Sequence, residues 1–132
     1  VKNQEKIEFD YIINTSGIKS NDLLKDDSKF YNNLKPIFNK GTYILLNNYV
    51  SDLKNKIVYP IPNSNSKGIL HISMENGLLV GPSTNLYEEY KNVPKKVMQK
   101  DIDILIKDSK SIIDNLDYCF KDSFYGIRTI NK

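Results

Sequence analysis

The pair Asn76-Gly77 constrains the fold of this chain more than any other local signal. It separates two apolar runs, residues 69–74 and 78–80. Asn and Gly tolerate the positive φ angles of a tight hairpin turn, and apolar runs on both sides favour paired strands. We therefore expect a hairpin over residues 69–82 that turns at Asn76-Gly77, within a set of antiparallel strands spanning residues 41–82.

Further strands are predicted elsewhere in the chain. Residues 7–13 alternate between polar and apolar and then become continuously apolar, as a strand does on entering a core. Gly41 opens a run over residues 42–46, and residues 57–59 form a short one. The aromatic and apolar residues 118–130 predict a last strand.

Two helices are predicted. Ser20 is suited to cap a short helix that ends near Lys25, whereas Pro36 disfavours a regular helix in residues 29–40, which we expect to be irregular. Pro94 suits the first turn of a long helix over residues 94–116. Apolar residues recur there at spacings of three, four or seven and give one apolar face: Met98, Ile102, Leu105, Ile112, Ile113 and Leu116. The predicted fold is α+β, a mainly antiparallel mixed sheet with one long and one short helix.

Length and composition indicate a single domain over residues 1–132, with 39% hydrophobic and 27% charged residues. The net charge of +3 comes from lysines interleaved with acids, so we expect no nucleic acid as a partner. No apolar run approaches the ~20 residues of a membrane span, so we expect no integral membrane segment. One cysteine offers no disulfide framework, which suits a cytoplasmic protein. The chain begins with Val1 rather than Met, and we expect it to be a piece of a longer polypeptide.

Arg128 is the only arginine in a chain with eighteen lysines. A planar guanidinium binds a carboxylate or a phosphate through two parallel hydrogen bonds, which an ammonium group cannot reproduce. The alternative is a leftover surface cation in a lysine-rich sequence. Arg128 is the first candidate for binding an anionic group.

The other candidates carry weaker signals. His71, the only histidine, lies within a predicted strand and is either a structural residue or a substrate-side residue. Tyr59 is either a packing aromatic or a substrate-side hydroxyl. Cys119 lies between two aromatic residues, which suggests a buried, inert thiol. A solvated helix face explains the acids of the long helix, Asp101, Asp103 and Asp108. One histidine and one cysteine do not build a metal site, so none is expected.

Five ordered segments resemble one enzyme superfamily. They are Asp10-Tyr-Ile-Ile-Asn-Thr-Ser-Gly17, Gly41-Thr-Tyr-Ile-Leu-Leu, Val58-Tyr-Pro-Ile-Pro, Gly77-Leu-Leu-Val-Gly-Pro82 and Tyr125-Gly-Ile-Arg128. This order resembles the FAD-dependent oxidoreductases of the D-amino-acid oxidase superfamily, and within it the glycerol-3-phosphate dehydrogenases and L-2-hydroxyglutarate oxidases. The first segment is similar to the family's VINAAG strand, with Thr15-Ser16 in place of Ala-Ala. The last is similar to its G-[LVI]-R-P strand, with Thr129 in place of proline.

The resemblance implies the substrate-binding region of a longer, two-domain flavoenzyme that passes hydride to FAD. The implied substrate is a small anionic hydroxy compound, glycerol 3-phosphate or a 2-hydroxy acid, with Arg128 on its anionic group and His71 and Tyr59 on the substrate side. Thr15, Ser16 and Gly17 would approach the cofactor. The family's Gly-rich flavin segment is absent from these residues, so the isolated chain is expected to bind no FAD and to be inactive without the flavin domain. A non-catalytic anion-binding or protein-interaction module is the alternative.

Overall fold

A six-stranded antiparallel sheet forms the centre of the structure, a computed structural model that describes residues 7–24, 36–47, 53–62, 68–113 and 119–131. The strands are β1 (Pro36–Leu46), β2 (Ile57–Val58), β3 (Leu70–Met74), β4 (Gly77–Gly81), β5 (Asn85–Tyr87) and β6 (Phe120–Asn131). The helices are a 3₁₀ helix over Gly17–Leu24, a 3₁₀ turn over Tyr90–Asn92 and the α-helix α1 over Gln99–Lys110. The predicted α+β fold is confirmed.

Strand β1 pairs along both of its edges. Strand β6 follows one edge along its whole length, from the pair Pro36–Asn131 to the pair Leu46–Phe120. Strand β4 pairs with residues 44–46 and β5 with residues 38–40. Because β6 fills one edge, β4 and β5 must share the other edge and lie end to end along it. The chain crosses between them over residues 82–84.

The predicted hairpin is confirmed as β3 and β4, with a turn displaced by one residue. Met74 pairs with Gly77, so the two loop residues are Glu75 and Asn76. The positive φ angle, +146°, falls on Gly77. A Cβ at Gly77 would collide with the carbonyl oxygen of Leu46 on β1, so close strand approach requires glycine there.

Helix α1 covers one face of the sheet and closes the core. Alternate residues of β1 from Lys40 to Leu46 are all buried, as expected for the covered side of a strand. The buried apolar cluster consists of Ile44, Leu46, Ile69, Leu78, Val80 and Leu105. Leu105 is the contribution of α1, with Ile102 and Ile106 packed beside it.

Three predicted elements differ from the structure. Residues 7–16 contain no strand and their large apolar side chains are exposed, because no described strand lies beside them to pair with. Residues 36–40, predicted irregular, belong to β1, and Pro36 is its first residue, a position that tolerates the missing N–H.

The predicted long helix is shorter than residues 94–116. It begins after Met98, and residues 114–116 lie outside the described residues. The 3₁₀ helix begins at Gly17, so Ser20 lies within it rather than at its cap; Lys25 lies outside the described residues. Apolar spacing identifies a buried face but does not fix where a helix begins. The short strand at residues 57–58 and the last strand are confirmed.

We expect Leu105→Ala to lower the free energy of unfolding by about 2–5 kcal/mol, because the fully buried side chain would leave a cavity between α1 and the sheet. Urea denaturation followed by circular dichroism measures this. Ile104→Ala, on the half-exposed neighbouring position, is the matched control and should cost under about 1 kcal/mol. Equal losses for the two variants would contradict the packing described above.

Candidate functional site

The crossing segment between β4 and β5 is fixed to β1 by two hydrogen bonds. The backbone N–H of Ser83 donates to the carbonyl of Thr42 at 2.9 Å, and the N–H of Thr42 donates to Ser83 Oγ at 3.1 Å. Ser83 thus occupies the position of a strand residue in the gap between β4 and β5. The segment is held in place although it is not itself a strand.

Two cavities adjoin this crossing. The larger, about 850 Å³, is bordered by the crossing segment, by residues of β1, β6 and α1, and by the segments before β3. The smaller, about 220 Å³, lies over the paired glycines Gly41 and Gly126. Two carboxylates of α1, Asp101 and Asp108, border the larger cavity.

Arg128 borders both cavities. It is exposed on β6, directly opposite Asn39 of β1, and forms no ion pair with the described residues. Directly opposed residues of an antiparallel pair have Cβ atoms roughly 5 Å apart, so the two side chains lie on one face of the sheet. The guanidinium is therefore available to an anionic ligand in the cavity.

Tyr59 borders the larger cavity, while its side chain is largely exposed. It follows β2 and precedes Pro60. The structure thus brings Tyr59 and Arg128 to the same cavity. Substrate contact by the Tyr59 hydroxyl stays a prediction.

His71 lies elsewhere, fully buried on the helix-facing side of β3. Its Nε2 is 2.9 Å from Ser109 Oγ, which itself donates to the carbonyl of Leu105 at 2.7 Å. Nε2 is thereby the donor to Ser109. Burial lowers the pKa of His71, and the nearby backbone of Ile69 and Val58 opposes that shift only in part. The other ring nitrogen, Nδ1, is buried and has no hydrogen-bond partner among the described residues. His71 borders neither cavity, and substrate contact by this ring stays a prediction.

A buried polar cluster connects β1, β5 and α1 beside the larger cavity. Asp101 accepts hydrogen bonds from Thr42 Oγ1 and Asn85 Nδ2, both at 3.0 Å, and its Oδ2 lies 3.9 Å from Lys40 Nζ. Lys40 also donates to the carbonyl of Lys96 at 2.5 Å and lies 4.9 Å from the centre of the Tyr125 ring. Burial lowers the pKa of Lys40, Asp101 opposes this shift, and Lys100 adds to it.

Asp101 corrects an expectation drawn from the sequence. Its side chain is buried rather than part of a solvated face, whereas Asp103 and Asp108 are exposed as expected. The buried residues of α1 are Asp101, Leu105 and Ser109. Their four-residue spacing places all three on one stripe of the helix. The position of Asp101 four residues before the apolar Leu105 was the signal in the sequence that could have predicted its burial.

The residues predicted to approach a cofactor form an exposed turn before and into the 3₁₀ helix. Asn14 Oδ1 accepts from both the N–H and the hydroxyl of Ser16, at 3.2 and 2.7 Å. Gly17 has a φ of +59°, and a Cβ there would meet nothing within 4 Å. Thr15, Ser16 and Gly17 are all exposed, and contact of these residues with a cofactor stays a prediction. Both donors of Ser16, its N–H and its hydroxyl, are already bonded to Asn14 Oδ1.

Three further observations concern metal ions, Cys119 and membranes. Within the described ranges, no group of three or more His, Cys, Asp or Glu side chains converges as a metal ion would need. Cys119, expected to be buried, is exposed. No helix in the described part of the chain is long and apolar enough to cross a membrane.

Comparison with known proteins gives one structural likeness. No family model and no curated protein matches the sequence. Among solved structures, the fold is similar to that of the glycerol-3-phosphate dehydrogenase from Bacillus halodurans, which was solved in complex with FAD, with a TM-score of 0.59 and 15% sequence identity. The likeness covers 85% of this chain and 23% of that chain. At this identity it shows the fold alone: the chain is built like one segment of that enzyme.

We expect Asp101→Asn to lower the free energy of unfolding by about 3 kcal/mol, because it leaves the buried Lys40 ammonium without its counter-charge. Adding Lys40→Met should restore part of the loss, since the double variant no longer buries a lone charge. Asp103→Asn, exposed on the same helix, is the control and should change stability by less than about 0.5 kcal/mol. An additive effect of Lys40→Met and Asp101→Asn would contradict coupling between the two side chains.

The pH dependence of stability should report the burial of His71. Its pKa is lower in the folded chain than the ordinary 6.5, so the unfolded chain takes up a proton first as the pH falls. Its contribution to stability is therefore complete above pH 6.5 and declines as the pH falls below it. His71→Gln should flatten this decline, measured by urea unfolding between about pH 7 and pH 5. An unchanged slope would mean that other groups cause it.

Proposed function

We propose that residues 1–132 are the substrate-binding region of a longer FAD-dependent oxidoreductase that acts on a small anionic hydroxy compound, glycerol 3-phosphate or a 2-hydroxy acid. The observation that carries the proposal is the position of Arg128. Its exposed guanidinium borders a cavity of about 850 Å³ and has no ion-pair partner among the described residues. The likeness of the fold to a segment of an FAD-bound dehydrogenase supports the same proposal.

In this proposal the chain binds and orients the substrate. Arg128 holds the phosphate or carboxylate through paired hydrogen bonds, and Tyr59 offers a hydroxyl at the same cavity. Flavin, when bound, supplies the hydride acceptor, and the protein supplies position and charge. Thr15, Ser16 and Gly17 give a small-residue surface for the cofactor, while residues outside this chain bind its pyrophosphate.

The exposed apolar segment supports the proposed second domain. Ile7, Tyr11 and Ile13 are 73%, 91% and 87% exposed, within one short stretch of chain. Large apolar side chains grouped in this way favour contact with another protein surface. We propose that the flavin domain of the same polypeptide supplies that surface.

The exposed segment also favours a second candidate function. A non-catalytic module that binds anions or another protein would use the same apolar side chains and the same arginine. One measurement distinguishes the two functions. It tests whether glycerol 3-phosphate or a 2-hydroxy acid reduces the bound flavin in the complete polypeptide that contains these residues. Flavin reduction supports the enzyme, and a polypeptide without flavin supports the module.

We expect Arg128→Lys in the complete polypeptide to lower kcat/KM by roughly ten- to a hundredfold, because the charge remains while the paired hydrogen bonds are lost. Flavin content, read from the absorbance spectrum, should not change. Lys121→Gln, an exposed cation on the same strand that borders neither cavity, is the control and should leave kcat/KM unchanged. Unaltered kinetics in Arg128→Lys would remove Arg128 from the substrate site, and loss of flavin would assign it to the cofactor.

A further inference from the structure

Asn39 carries a buried hydrogen-bond acceptor without a partner. Its side chain is only 5% exposed, and Oδ1 accepts no hydrogen bond within the described residues. Leaving a buried carbonyl oxygen unpaired costs free energy, so native structures pair nearly all of them. An acceptor kept in this state beside a cavity is suited to a ligand that supplies the missing donor.

The surroundings of Asn39 form a small groove. Asn39 and Arg128 stand opposite each other on β1 and β6 and border both cavities. Gly41 and Gly126 are the next facing pair on the same side of the sheet, and neither places a side chain in the groove. Pro82 packs closely over Gly41, whereas the space over Gly126 is open. Beyond them, Tyr43 stacks on Phe124 with ring centres 5.3 Å apart and limits the groove at that end.

We propose that Asn39 is a specificity-determining residue whose Oδ1 accepts a hydrogen bond from a hydroxyl or ammonium group of the small anion that Arg128 binds. The proposal rests on the proposed function in one respect, the assignment of the anionic group to Arg128. The terminal torsion of Asn is broad, so the amide can turn toward a ligand at little cost. The site then recognises two chemical features together, an anionic group at β6 and a hydrogen-bond donor at β1.

The test uses two pairs of probes whose members differ only in their hydroxyl groups. One pair is glycerol 3-phosphate and propyl phosphate, and the other is 2-hydroxyglutarate and glutarate. Dissociation constants are measured by calorimetry on the complete polypeptide that contains residues 1–132. We expect the hydroxylated member of at least one pair to bind roughly tenfold more tightly than its partner, because it gains one hydrogen bond to an otherwise unpaired acceptor.

Asn39→Leu should abolish this preference and leave the affinity for the deoxy probe nearly unchanged. Asn39→Ala repeats the test with a smaller side chain, and thermal unfolding shows which variant folds. Gly126→Ala gives an independent test of the groove. A Cβ there would meet no protein atom within 4 Å, so the fold should tolerate it while the added methyl group weakens binding of both members of a pair.

Arg128→Gln separates failure of this inference from failure of the proposed function. It should weaken both members of a pair equally and keep the preference for the hydroxyl. If Arg128→Gln weakens both probes but Asn39→Leu keeps the preference, the role of Asn39 is wrong and that of Arg128 stands. If Arg128→Gln changes neither affinity, the anion site is wrong. Absence of binding by all four probes at millimolar concentration would overturn both.

Discussion

Pairing of β1 along both edges is the constraint on which the candidate site depends. Strand β6 fills one edge and thereby sets Arg128 opposite Asn39, while β4 and β5 divide the other edge between them. The division leaves a gap in the ladder at Thr42, which Ser83 closes with its backbone and its hydroxyl. Both cavities adjoin this gap, because Pro82 and Ser83 of the crossing segment border each of them.

The buried polar cluster fixes α1 to this arrangement. Asp101 on the helix joins Thr42 of β1 and Asn85 of β5 through hydrogen bonds, and Lys40 lies close by. A buried ion pair contributes little net stability after its desolvation cost, whereas a broken one is strongly destabilising. A displaced helix would leave two buried charges unpaired, so the pair favours the observed position of α1 on the sheet.

Arg128 and Asn39, on which the functional proposals rest, lie opposite each other on β6 and β1. Among the described residues, the Arg128 guanidinium has no ion-pair partner and Asn39 Oδ1 accepts no hydrogen bond. Both residues border the same two cavities. His71 lies on the opposite side of the sheet, where Ser109 and the core hold it. The separation follows from strand alternation, since residues on the helix-facing side of β3 cannot reach the groove over β1 and β6.

Local signals in the sequence determined the hairpin, the last strand, the short strand at residues 57–58, the existence of the main helix, and Arg128 as a candidate. Each depends on turn chemistry, periodicity or the geometry of one side chain. Only the tertiary structure decided that Asp101 is buried, that residues 7–16 form no strand, and that Asn39 lies opposite Arg128. Burial and strand pairing depend on which distant segments become neighbours, and an acceptor such as Asn39 Oδ1 is unpaired only with respect to those neighbours.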